Sequence, residues 1–220
     1  MTRHNRRSVP RNALMLTALA LLCALVCVSC SDDPSVDVST QCLALLADEG
    51  TAPGHVISQT GTESTCNYLD IELVATDIAD IHSAEIQVAY ANGLAILILV
   101  EAGPLLLGSG DESVACGLAL SEYDVDCFVT DNFENGTVDL SISRTPQSPG
   151  TVDAPADGAV LAKLTFLQIT TLPGANGSFS FNYGKLLDDG NGGQTSPGTI
   201  IDVNADPSTF VGGQMIIQER

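Results

Sequence analysis

Tryptophan is absent from this sequence, aromatic residues make up 5% of its 220 positions, and histidine occurs three times. Flat polysaccharide binders draw their affinity from stacking rings on the C–H face of a sugar, and little here could build such a strip. Basic residues are scarce too. Beyond position 30 only Arg144, Lys163, Lys185 and Arg220 stand against all 27 acids, a net charge of −23 for that stretch and −19 for the whole chain. Such a surface repels phosphate backbones and anionic headgroups, so no nucleic-acid partner is expected. The motifs G-x-S-x-G, H-E-x-x-H, the P-loop and G-x-G-x-x-G are missing. His82, between Asp80-Ile81 and Ser83, reads as a solvated residue at a strand entry. The chain is expected not to be an enzyme, and no catalytic residue is assigned.

The first thirty residues concentrate what the rest lacks. Arg3, Arg6, Arg7 and Arg11 precede Ala13 to Val28, a sixteen-residue apolar run interrupted by Thr17 alone. A membrane span needs about 20 apolar residues, so this run suits an export signal better. Val28-Ser29-Cys30-Ser31 then resembles the lipobox of bacterial lipoproteins, with Cys27 where that family prefers leucine. The resemblance implies a signal peptide over 1–29, lipidation of Cys30 and anchoring at the cell envelope, with Ser31 favouring the outer membrane. A soluble secreted protein is the alternative.

Cys42, Cys66, Cys116 and Cys127 remain in the body of the chain. Four cysteines allow three pairings. Cys42–Cys66 with Cys116–Cys127 is chosen, because each closes a short loop between expected strands. A zinc site is disfavoured without C-x-x-C and with only His55 and His82 nearby in sequence.

Residues 30–65 read as a tether and N-terminal extension with a short helix near Gln41 to Ala47. From there, period-2 patterns divided by Gly, Pro, Asn and Asp dominate. His55–Ser58 is a weak first strand. Leu69, Ile71 and Leu73 point inward between Asp70 and Glu72. Ala84, Ile86 and Val88 alternate with Glu85 and Gln87, and Val138, Leu140 and Ile142 follow the same rule. Leu94–Val100 is apolar throughout and is expected to be covered on both faces. Phe179, Phe181 and Tyr183 share one face, and Tyr123 is the one aromatic expected to be exposed. The fold class is all-β: about nine strands in a two-sheet sandwich of jelly-roll topology over 66–220.

The order of these segments resembles a cohesin domain, the β-sandwich module of cellulosomal scaffoldins. The likeness is carried by Ser83–Tyr90, Leu94–Val100 with its Gly103-Pro104 turn, Gly136–Ser143, Gly158–Phe166 and the closing Gly198–Val203. It departs from the family at Tyr90-Ala91-Asn92, where a Tyr-Asp-Pro turn is usual, and in its four cysteines. The resemblance implies a non-catalytic module that presents one sheet face to a dockerin-like protein, in a setting of polysaccharide degradation. Carried over by strand order, that face comprises Glu85, Gln87, Asp126, Asp139 and Ser141, acids suited to a partner with basic residues. Direct carbohydrate binding is the alternative.

No cofactor is expected. Asp188-Asp189-Gly190-Asn191-Gly192-Gly193 is oxygen-rich, with calcium as the lesser reading. Gly190 and Thr199 fall where EF-hand ligands belong, so the segment reads as a turn closing a hairpin.

Overall fold

The computed structural model describes residues 40–48, 53–107, 113–117, 125–145, 150–189, 199–204 and 206–219. The expected signal peptide, Cys30, Tyr123 and the turn from Gly190 to Gly198 lie outside the described residues.

The strands are β1 (Gln41–Ala47), β2 (His55–Thr60), β3 (Tyr68–Thr76), β4 (Ile78–Ile81), β5 (Ser83–Ala89), β6 (Ala95–Ala102), β7 (Val114–Ala115) and β8 (Val125–Asn132). They continue with β9 (Thr137–Arg144), β10 (Val152–Ala154), β11 (Ala159–Gln168), β12 (Asn176–Leu187), β13 (Thr199–Asp202), β14 (Phe210–Val211) and β15 (Gly213–Glu219). One helical turn, α1 (Pro104–Leu107), follows β6. A seven-stranded sheet runs β1-β15-β12-β5-β9-β8, with β13 attached to β12, and a six-stranded sheet runs β14-β2-β3-β11-β6-β7. A β10-β4 ribbon completes an all-β, two-sheet sandwich.

Alternation decides which face each strand buries. In β9, Val138, Leu140 and Ile142 are buried, while Asp139 between them is exposed. Leu69, Ile71, Leu73 and Ala75 of β3 meet them from the other sheet within one continuous core. Each fully buried leucine or isoleucine stabilises the fold by roughly 1.5–3 kcal/mol. Aromatic rings form a chain through that core: Tyr90 to Phe166 at 5.1 Å, Phe166 to Phe179 at 6.2 Å, Phe179 to Phe181 at 6.1 Å and Phe181 to Phe210 at 5.3 Å. Gly184 lies where this chain ends, and a Cβ there would come within 2.6 Å of the Phe210 ring.

Both disulfides have the expected pairing, Cys42–Cys66 and Cys116–Cys127, with Cα separations of 4.4 and 5.1 Å. β1 and β8 are the two outer strands of the seven-stranded sheet. One bridge ties β1 to the residues entering β3, and the other ties β8 to the end of β7. Each outer strand is thus fastened covalently to the opposite sheet.

The structure corrects several expectations. The described residues form fifteen strands rather than about nine, because β1, β4, β7, β10 and β14 are short or lack alternation. Gln41–Ala47 is a strand rather than a helix, paired along its length with β15. Cys42 to Leu45 are all buried, since core lies on one side of β1 and the disulfide on the other, which erases the period-2 signal. The sandwich therefore takes in β1 and β2 and does not start at residue 66. β6 is not covered on both faces: Ile98 is 48% and Leu99 39% exposed. Tyr183 leaves the face of Phe179 and Phe181, because β12 shifts register against β5 between Phe181 and Tyr183. An extra residue in one strand turns every following side chain to the other side.

Candidate binding face

The outward surface of the β12-β5-β9-β8 region is assembled by register. Lys185, Glu85, Ser141 and Phe128 lie in one cross-strand row. Tyr183, Gln87, Asp139 and Thr130 form the next. Asp126 pairs with Ser143 one row further along. All five residues assigned from the sequence, Glu85, Gln87, Asp126, Asp139 and Ser141, therefore stand on one face. Phe128 and Tyr183 join them unforeseen, bordering a shallow depression of about 240 Å³ with Glu85 and Asp139 in its lining.

The acids here are held by neutral donors. Gln87 Nε2 donates to Asp139 Oδ1 at 2.7 Å, and Tyr183 OH donates to Glu85 Oε2 at 3.0 Å. Partial burial, then the bond to Glu85, pushes the Tyr183 phenol above its ordinary value, so it remains a donor at neutral pH. Lys185 is the cation at the margin; its ammonium lies 5.4 Å from the Tyr183 ring centre and 3.5 Å from Asp202 Oδ2. Among the described residues no cation lies within ion-pair distance of Glu85 or Asp139. Their charge is left to solvent or to a partner.

Phe128 was legible in outline. Cys127 must point inward to reach Cys116, and Asp126 was already placed outward, so Phe128 faces out by parity. It is 68% exposed. Tyr183 had no comparable signal, because the register shift that turns it outward lies in a segment of small and aromatic residues with no marker of its own.

The other candidates sit apart from this face. His82 Nδ1 is 3.0 Å from the Gly150 carbonyl oxygen, at the junction of β4 and β5. Asp131 accepts a hydrogen bond from Tyr90 OH at 3.0 Å. Among the described residues no three His, Cys, Asp or Glu side chains are grouped to hold a metal ion. Also among them, no helix is long and apolar enough to cross a membrane.

No protein-family model matches the chain, and no curated protein matches it. Solved structures do. A type I cohesin–dockerin complex from Clostridium thermocellum is matched at 11% identity and a TM-score of 0.47, over 79% of this chain and 96% of that one. The seventh ScaB type I cohesin from Pseudobacteroides cellulosolvens is matched at 13% and 0.45, over 79% and 90%. A cohesin module from a Clostridium perfringens family 33 glycoside hydrolase is matched at 9% and 0.41, over 83% and 98%. These structures contain cohesin modules, the family that the sequence resembles.

Proposed function

We propose that this chain is a non-catalytic binding module that presents the outward β12-β5-β9-β8 face to a dockerin-like protein carrying basic residues. The observation that carries the reading is the pairing, on one face, of a largely exposed aromatic, Phe128, with carboxylates that lack a cation of their own. Aromatic anchors ringed by polar groups supply most of the energy of protein interfaces, and opposite charge sets approach rate and specificity. The dockerin-like character of the partner rests on the sequence resemblance. Lipidation at Cys30 would hold the module at the cell envelope, while the acidic surface repels anionic lipid.

Direct sugar binding is less well supported by the same face. Phe128 lies on β8 and Tyr183 on β12, three strands apart, which is roughly 14 Å at ordinary strand spacing. Rings that far apart form no continuous platform for a sugar chain.

Charge reversal tests the reading. Glu85→Lys combined with Asp139→Lys should abolish capture of the partner from the host's secreted and envelope proteins, with the melting temperature unchanged. Undiminished capture by that variant would place the partner elsewhere on the molecule.

A further inference from the structure

The rims of the sheets are finished in different ways. At β1 the rim is capped: Leu43 N–H donates to Gln168 Oε1 at 2.8 Å and to the Cys66 carbonyl at 3.3 Å. Gln168 Nε2 also donates to the Gln41 carbonyl at 3.1 Å. β6 is covered by β7 only at Glu101 and Ala102, and an extra residue, Ile98, breaks its register against β11. β8 has neither device. It runs without a shift against β9 and contains no proline and no lysine. A row of unpaired N–H and C=O groups on such a rim invites another strand.

Register shows which groups are on offer. At the two ends of the β5–β9 ladder, Tyr90 N–H donates to the Gly136 carbonyl and Arg144 N–H to the His82 carbonyl. Even-numbered residues of β9 therefore bond to β5, and odd-numbered ones bond to β8. Their partners Asp126, Phe128, Thr130 and Asn132 spend their backbone groups on β9, while Cys127, Val129 and Asp131 direct theirs away from it. Cys127 is buried, whereas every residue from Phe128 to Asn132 is exposed. Among the described residues, nothing bonds to the outward N–H or C=O of Val129 or Asp131. Their side chains line a groove of about 250 Å³ with Leu97 and Leu99 of β6. Asp131 accepts from Tyr90 OH at 3.0 Å and, among the described residues, has no cation within ion-pair distance.

We propose that the β8 rim takes an extended segment of a partner protein as an added antiparallel strand, reading a basic residue, a spacer and then an aliphatic residue. In that register the basic side chain lies beside Asp131. The aliphatic one lies beside Val129 and enters the groove against Leu97 and Leu99. The outward N–H and C=O groups of Val129 and Asp131 hold the segment's main chain, and the two side chains select it. The antiparallel direction is the slightly more stable one per residue. Charge excludes a second copy as the occupant, since its own β8 brings Asp126 and Asp131 and no cation. The inference does not depend on the partner proposed for the outward β12-β5-β9-β8 face.

The test is a titration of the synthetic peptide Thr-Lys-Thr-Val-Thr-Thr into the isotope-labelled full chain, followed by amide chemical shifts. The N–H signals of Val129 and Asp131 should move most and should saturate. The same peptide with glutamate in place of lysine should bind roughly tenfold more weakly. Val129→Pro removes an outward N–H at a position where a rim strand tolerates proline, and should weaken binding roughly tenfold. Asp131→Asn should weaken it roughly two- to fivefold, the range of one exposed ion pair. Should Val129→Pro fail to fold, judged by its melting temperature, the shift pattern and Asp131→Asn decide alone. Absence of saturable shifts, shifts centred on another strand, or equal binding of the glutamate peptide would overturn the proposal. So would shifts at β8 that depend on protein concentration without peptide, which would mark a second copy as the occupant.

Discussion

Phe128 and its neighbours show how little separates a solubilising surface from a binding one at the level of single side chains. A phenylalanine on the outer side of β8 gains nothing from the core, and its ring is open to solvent beside Ser141 and Thr130. Truncating it should therefore leave stability alone and act on binding. Phe128→Ala is expected to weaken partner capture by about 2 kcal/mol, roughly 30-fold in Kd, with an unchanged unfolding midpoint; titration calorimetry alongside chemical denaturation would check both. Residue parity showed which polar residues point outward, and the family resemblance, by strand order, selected Glu85, Gln87, Asp126, Asp139 and Ser141 among them. The same parity applied to Asp126 and Cys127 would have turned Phe128 outward, although the sequence reading named Tyr123 as the one exposed aromatic. Tyr183 was hidden, because one extra residue in β12 reverses its side and leaves no trace in composition.

At the level of elements, strands that bury one face were legible and those that bury two or none were not. β3, β5 and β9 announce themselves by alternation. β1 and β6 are both apolar runs, yet β1 buries four consecutive residues, Cys42 to Leu45, and opens only at its end, whereas β6 turns Ile98 and Leu99 to solvent in mid-strand. An apolar run states that its side chains avoid water, not which neighbour keeps water away. The two disulfides belong to this scale, because each fastens an outer strand. Their sequence separations are 24 and 11 residues. Replacing either pair by serine should cost about 2–4 kcal/mol, and the chain-entropy relation puts the loss of Cys42–Cys66 about 0.7 kcal/mol above that of Cys116–Cys127. Urea denaturation of the two double variants, compared with the parent, would give both differences.

For the molecule as a whole, acidity shapes the response to pH. Asp202 is held below its ordinary value of 3.8, first by the backbone N–H of Asn204 and further by Lys185. Asp206 is held down by the hydroxyl and N–H of Ser208, and Glu63 by Lys163. A depressed carboxylate contributes stability that is complete above its unfolded value and is lost as pH falls through its folded one. The Lys163 shift is upward, so its contribution is complete below the unfolded value and fades only in strong alkali. Melting temperature should therefore be flat between about pH 5 and 9 and decline below about pH 4. Scanning calorimetry should show a shallower acid limb in Asp202→Asn. Partner capture should also weaken as salt screens the unpaired acids of the binding face.

The covalent tie at the start of the sandwich has a mechanical meaning. Tension arriving through the chain ahead of Thr40 meets Cys42 after two residues, and the bridge passes it directly to Cys66 and into β3. That strand is held by β2 on one side and β11 on the other. The load bypasses the terminal β1–β15 ladder, which could otherwise be peeled open one hydrogen bond at a time, and falls on two ladders that must give way together. A module built in this way can be pulled at Thr40 without unravelling from that end.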